Sequence, residues 1–109
     1  MKFNGVDWNT LIITGTQTAN SIKIGSFNDA STSAESFFLS FKKSDVVKGA
    51  TISANSIDSY QIQHEGSNYT ILDASFKIDS ISSSRLELTF DMNLNGAATI
   101  SAGSIKVNF

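Results

Sequence analysis

Hydrophobic and polar residues alternate strictly along the segment RLELTFDMNLNG, residues 85–96. The even positions carry Leu86, Leu88, Phe90, Met92 and Leu94, and the odd positions from Arg85 to Asn93 are polar. A period of two over ten residues is typical of a strand with one face in a core and the other in water. We therefore predict a strand here, and we interpret the odd row as a solvated sheet face rather than a site.

The same spacing recurs in shorter segments, which predicts about eight strands. The apolar sets are Leu11 with Ile13, Ile22 with Ile24, Phe37 with Leu39 and Phe41, Tyr60 with Ile62, and Phe76 with Ile78. Turn-rich segments separate them: TGTQTANS, FNDASTSAE, HEGSN and SISSSR. Asn4-Gly5 and Asn95-Gly96 predict type I′ hairpins, because both central residues of such turns need positive φ. One helical turn is expected near KKSDVVKGA.

A short repeat marks two further positions. TISANSI at 51–57 recurs as TISAGSI at 99–105. In both copies the apolar spacing changes phase, at Asn55 and at Gly103, and these residue types tolerate left-handed backbone. A β-bulge or bend is therefore expected in each copy. Duplication and chance in a Ser- and Thr-rich chain both remain open as origins.

These patterns predict one all-β domain over residues 1–109, an antiparallel β-sandwich or flattened β-barrel. At this length about two thirds of the unfolded chain's surface can be buried, so a core without a cofactor is feasible. The expected core residues are Leu86, Leu88, Phe90, Met92, Leu94, Ile105, Val107, Phe37, Leu39 and Phe41.

Composition and charge exclude several classes of partner. Eight Lys and Arg residues stand against ten Asp and Glu, with no basic cluster, so nucleic acid is not an expected partner. No apolar run approaches the roughly 18 residues of a membrane span. Serine, threonine and asparagine (18, 9 and 9 residues) make up a third of the chain, a composition that favours a strand-rich exported protein. The absence of cysteine excludes disulfides and Cys-based metal sites.

The residues that could support catalysis are few. His64 is the one histidine of the chain, and its place beside EGSN at the end of a predicted strand favours a surface or rim position. The carboxylate pairs Asp73 with Asp79 and Glu87 with Asp91 are interpreted as solvated strand residues rather than a glycosidase pair. We expect no catalytic residue, no metal and no cofactor.

Exposed aromatic residues are the candidates for ligand binding. Trp8, Phe27, Tyr60 and Tyr69 do not follow the core pattern clearly, and Trp8, Tyr60 and Tyr69 are the residues that we predict to contact a ligand. A core or rim position is the alternative for Trp8, which is in phase with Val6.

Both ends of the chain resemble a known group of proteins. FNGVDW at 3–8 and TISAGSIKVNF at 99–109 resemble the ends of small exported, often lipid-anchored bacterial β-domains of unknown function. Phe3, Gly5 and Trp8 fit the first hairpin of that group, and the closing strand is matched by Gly103, Ile105, Val107 and Phe109. The resemblance implies export to the periplasm or cell surface and no particular activity. A lipid anchor would need a cysteine in a segment that precedes this chain.

Three functional hypotheses follow. The first is a non-enzymatic exported module that binds protein or carbohydrate at the cell surface, or has a structural role there. The alternative is a structural subunit of a phage particle or appendage, because small β-domains can assemble through sheet edges. The third is a hydrolase that uses His64.

Overall fold

A computed structural model of the chain describes residues 1–8, 12–27 and 35–109, with the backbone alone for Ile12 and Phe27. These residues form two antiparallel sheets that pack face to face as a sandwich and do not close into a barrel. The all-β prediction is confirmed, and of its two forms the sandwich is the one observed.

The first sheet has six strands in the order β2-β1-β11-β10-β9-β6. Its long strands β9, β10 and β11 are consecutive antiparallel neighbours. The strand bounds are β1 Lys2–Phe3, β2 Val6–Asp7, β6 Thr51–Ser53, β9 Ile71–Ile81, β10 Arg85–Leu94 and β11 Thr99–Asn108.

The second sheet has five strands in the order β3-β4-β5-β7-β8. Its bounds are β3 Ile12–Gln17, β4 Ser21–Phe27, β5 Ser36–Lys42, β7 Ile57–His64 and β8 Ser67–Tyr69. The described residues thus contain eleven strands rather than about eight. Four of them, β1, β2, β6 and β8, are two or three residues long, too short for a period of two to be recognised in the sequence.

The alternating apolar positions form the core between the sheets. All ten predicted core residues are buried, and Ile22, Ile24, Ile62, Phe76 and Ile78 join them. Two members of the predicted sets differ, because Ile13 and Tyr60 are exposed. Leu11 and most of the segment FNDASTSAE lie outside the described residues.

The two predicted Asn-Gly turns are observed, one of them with a change of position. Asn4 and Gly5 have φ of 50° and 80°, as a type I′ turn between β1 and β2 requires. The prediction at Asn95-Gly96 is wrong by one residue, because the positive φ values fall on Gly96 (68°) and Ala97 (58°). Asn95 is held elsewhere: its N–H donates to the Thr70 carbonyl, and its side chain accepts from the Thr70 N–H. The helical turn expected near KKSDVVKGA is a single 3-10 turn, Lys43–Asp45.

The two copies of the repeat both bend, but in different ways. After Ser53 the first copy makes a 3-10 turn, Ala54–Ser56, that carries the chain from one sheet to the other. The second copy stays in β11 and forms a bulge, where Ser101 and Ala102 oppose Asp91 alone. Left-handed backbone occurs at Ala102 (φ 50°) rather than at Asn55 or Gly103.

Candidate functional site

Glu35 contacts two separate segments of the chain at the rim of the sandwich, through Trp8 and through the consecutive residues His64 and Glu65. Its Oε2 accepts hydrogen bonds from Trp8 Nε1 (2.8 Å) and lies 2.8 Å from His64 Nδ1. Its Oε1 accepts from the backbone N–H of Glu65 (2.9 Å). One carboxylate therefore fixes the residue after β2, the end of β7 and the turn that follows β7.

Aromatic rings surround the histidine of this group. The Phe3 ring lies 4.1 Å from the His64 ring at 32°, and the Trp8 ring lies 5.0 Å from it. Phe3 also contacts Trp8 and Tyr69 edge-on, at 5.5 and 5.0 Å between ring centres. We call Phe3, Trp8, Glu35, His64 and Tyr69 the rim cluster.

The hydrogen bonds of the rim cluster favour the charged form of Glu35. Burial opposes this by raising the pKa of the carboxyl, but the Glu65 N–H, His64 and Trp8 stabilise the carboxylate. The net effect is a pKa of Glu35 below its usual value.

The rim cluster pairs His64 with a carboxylate, but no hydroxyl among the described residues is bonded to that histidine. A nucleophilic mechanism needs a hydroxyl or thiol within hydrogen-bond reach of the histidine. Among the described residues no serine or threonine hydroxyl bonds to His64, and its Nε2 lies 3.9 Å from Glu65 Oε1. The described residues also contain no group of three or more His, Cys, Asp or Glu that could hold a metal ion.

The three predicted ligand residues do not come together. Trp8 is buried, and its one polar atom donates to Glu35, which agrees with the core or rim alternative. Tyr69 is half-buried against Phe3 and lines a shallow depression of about 360 Å³ with His64 and Glu65. Tyr60 lies in the middle of β7 and is exposed. The Phe27 side chain lies outside the described residues.

Tyr60 links the two sheets. It is paired with buried Leu39, and its hydroxyl accepts a hydrogen bond from the N–H of Ile71 (3.0 Å) in β9 of the other sheet. Its position in β7 also borders a depression of about 420 Å³, which lies on the opposite side of the five-stranded sheet from the Tyr60 ring.

This depression lies on the outer face of the five-stranded sheet, across four neighbouring strands. Register places two rows of residues there: Thr14, Gly25, Phe38 and Gln61 in one, and Thr16, Lys23, Ser40 and Ser59 in the other. We call these eight residues the Phe38 face. Its exposed members are polar apart from Phe38, which is 41% exposed.

The position of the Phe38 ring depends on the glycine beside it. A Cβ on Gly25 would lie 2.6 Å from Phe38 Cε1 and 2.9 Å from Cδ1, so the ring rests directly on the β4 backbone. Phe38 was not among the residues predicted to contact a ligand. Its signal was present, because Phe37 and Phe38 are adjacent in a strand and only one of two neighbours can face the core.

The outer face of the six-stranded sheet has a different character. Arg85 lies 3.1 Å from Glu87 Oε1 and donates to Asn108 Oδ1 (2.9 Å), and Glu87 is opposite Lys106 in register. Asp91 accepts from the N–H of Ala102 (3.2 Å) at the bulge. The odd row of β10 thus lies on a solvated face of mixed charge, as predicted.

The comparisons with known proteins add no assignment. No family model, curated protein or solved structure matches this chain. The described residues contain no helix that could cross a membrane.

Proposed function

We propose that this protein is a non-enzymatic, exported binding module that contacts its ligand through the Phe38 face. The observation that carries the proposal is an exposed phenylalanine held on a glycine in the middle of a polar depression. An exposed aromatic ring lowers solubility and contributes nothing to the core, whereas central aromatic residues commonly supply much of the energy of a binding site. Tyr60 adds no second ring to this site, because it pairs with buried Leu39 and so lies on the opposite side of the sheet from Phe38.

The rim cluster supports the non-enzymatic part of the proposal. Glu35 accepts a hydrogen bond from Trp8 and lies within hydrogen-bond distance of His64, and the rings of the cluster are packed edge-on or tilted against one another. Buried polar side chains that have a structural role are usually hydrogen-bonded to other protein groups in this way. We therefore assign Trp8, His64 and Tyr69 to holding the fold rather than to chemistry.

Export is supported by the sequence. One third of the residues are Ser, Thr or Asn, and the two ends resemble exported bacterial β-domains. We propose the periplasm or the cell surface as the site of action.

Co-sedimentation with cell-envelope fragments of the encoding organism tests the proposal. We expect saturable binding of the wild type that Phe38→Ser weakens by about tenfold or more, as truncation of a central aromatic contact does. Leu72→Ser is the matched control, because Leu72 is also exposed (66%) and does not line the depression. Equal loss in both variants, or no binding of the wild type, would contradict the proposal.

A structural subunit of a phage particle or appendage is the second candidate. The strand β3, with the sequence IITGTQ, lies at an edge of the five-stranded sheet and carries neither charge nor proline. Natural edge strands commonly carry charged residues or proline, which prevent pairing with the edge strand of a second molecule. Ordered multimers of the purified protein, lost on Ile13→Lys, would favour this candidate.

A further inference from the structure

We infer that the ligand of the Phe38 face is a neutral saccharide chain, one of whose pyranose rings stacks on Phe38. This inference rests on the proposed function and adds the chemical class of the ligand.

The ring of Phe38 suits the apolar side of a sugar. The face of an aromatic ring carries partial negative charge, and the C–H groups on one side of a pyranose carry partial positive charge. Because Gly25 lets the ring rest on the β4 backbone, Phe38 is fixed before a ligand arrives. A fixed ring reduces the loss of side-chain entropy on binding.

The groups around the ring match the hydroxyls of a sugar. Thr14 and Gln61 lie in the same row as Phe38, and Thr16 and Ser59 lie in the next row. Hydroxyl and amide groups both donate and accept hydrogen bonds, as sugar hydroxyls do. An apolar peptide or a lipid would instead bury these groups without partners.

The face carries a single positive charge, which is too few to hold a polyanion. Lys23 is the one charged side chain among the described residues that line the depression. The chain as a whole has a net charge of −2, which repels polyuronates, nucleic acids and anionic membranes. A neutral glycan meets no such repulsion.

The shallow shape predicts weak binding to each unit of the ligand. A depression of about 420 Å³ is near the lower end of ligand pockets, which range over roughly 300–1,000 Å³. We expect a dissociation constant of about 1 mM for a short oligosaccharide, because an open site leaves much of the ligand in water. A long chain that presents many equivalent units raises the effective affinity.

Affinity electrophoresis in native gels tests the inference. Gels would contain one soluble neutral polysaccharide each: dextran, hydroxyethyl cellulose, xylan, mixed-linkage β-glucan or galactomannan. Polygalacturonate is the anionic comparison. We expect at least one neutral polymer to retard the wild type and polygalacturonate not to do so.

Variants of the face complete the test. Phe38→Ser should raise the apparent dissociation constant about tenfold, and Gln61→Ala should raise it less, while Phe38→Tyr should retain binding because the ring is kept. Leu72→Ser should behave as the wild type. Thermal midpoints, measured on every variant, separate lost binding from lost folding.

Two results would overturn the inference. One is no retardation of the wild type by any neutral polymer; the other is retardation that Phe38→Ser leaves unchanged. The envelope fragments distinguish this failure from failure of the proposed function. One further result is binding to these fragments that depends on Phe38, survives periodate oxidation of the glycans and is lost on protease treatment. That result would support the proposed binding module and show that its ligand is a protein rather than a saccharide.

Discussion

Two glycines of this sandwich lie beneath phenylalanine rings, one on the outer surface and one in the core. On the outside, Gly25 lets Phe38 rest on β4. Inside, a Cβ on Gly103 would lie 2.5 Å from Cε2 and Cζ of Phe90. The Phe90 ring is stacked near Phe37 and Phe76, at 5.3 and 5.6 Å between ring centres, so it has little room to move away. In each case the missing side chain sets where an aromatic ring can lie.

Gly103→Ala should therefore destabilise the protein. The added methyl group overpacks a site whose neighbour is held by two other rings, and such substitutions cost about 1–3 kcal/mol. Urea denaturation would measure the loss, with Ser104→Ala as the control, because Ser104 is the next residue of β11 and is exposed. Phe90→Leu in the Gly103→Ala background should recover part of the loss. A Gly103→Ala variant as stable as the wild type would show that Phe90 is free to relax.

Single residues were the scale at which the sequence was least informative. His64 was correctly expected at a rim, but its partner Glu35 is 29 residues away and has no local signal. Phe38 was overlooked because the sequence was searched for the alternate positions of β5 that face the core, which are Phe37, Leu39 and Phe41. The alternation predicts which way a side chain faces. It does not predict which exposed side chain will rest on the backbone of a neighbouring strand, since that depends on how the two strands are aligned.

At the scale of strands and turns the sequence predicted more. The long strands follow from period-two patterns, since one buried face imposes them. Strand order, the short strands at the edges and the crossing of the first repeat copy between sheets depend on contacts between distant segments, which no local pattern encodes. The hairpin at 95–97 is a further example: Asn95-Gly96 favours a two-residue turn, but the two hydrogen bonds of Asn95 with Thr70 shift the left-handed pair to Gly96 and Ala97.

Ala97→Asn should stabilise this hairpin. Left-handed backbone is unfavourable for alanine and is tolerated better by asparagine, so we expect a gain of up to about 1 kcal/mol. The same change at Ala54, whose φ is not positive, should give no gain and serves as the control. Thermal and urea unfolding would measure both variants. A loss of stability at Ala97 would mean that its methyl group makes a contact worth more than the backbone strain.

At the scale of the whole molecule, the two outer faces and the rim differ in charge and in hydrogen bonding. The outer face of the six-stranded sheet carries both signs of charge in close pairs, which suits solvation. The Phe38 face is nearly uncharged and carries the exposed ring. The rim cluster ties the residue after the first hairpin to the end of β7, and so connects the two sheets at one end of the sandwich.

We expect the stability of the whole sandwich to depend on pH through Glu35 of the rim cluster. The pKa of Glu35 is lower in the folded protein than in the unfolded chain, so its carboxylate contributes stability above the unfolded pKa, and this contribution is lost as pH falls through the folded pKa. Glu35→Gln should cost about 1–3 kcal/mol at pH 7, the usual contribution of hydrogen bonds to a charged group. The difference between wild type and variant should shrink as the pH is lowered from 6 toward 3, because protonated Glu35 and glutamine are both neutral. Urea denaturation across this range, with Glu87→Gln on the solvated face as the control, would measure it. A difference that stays constant with pH would show that Glu35 acts through packing and not through its charge.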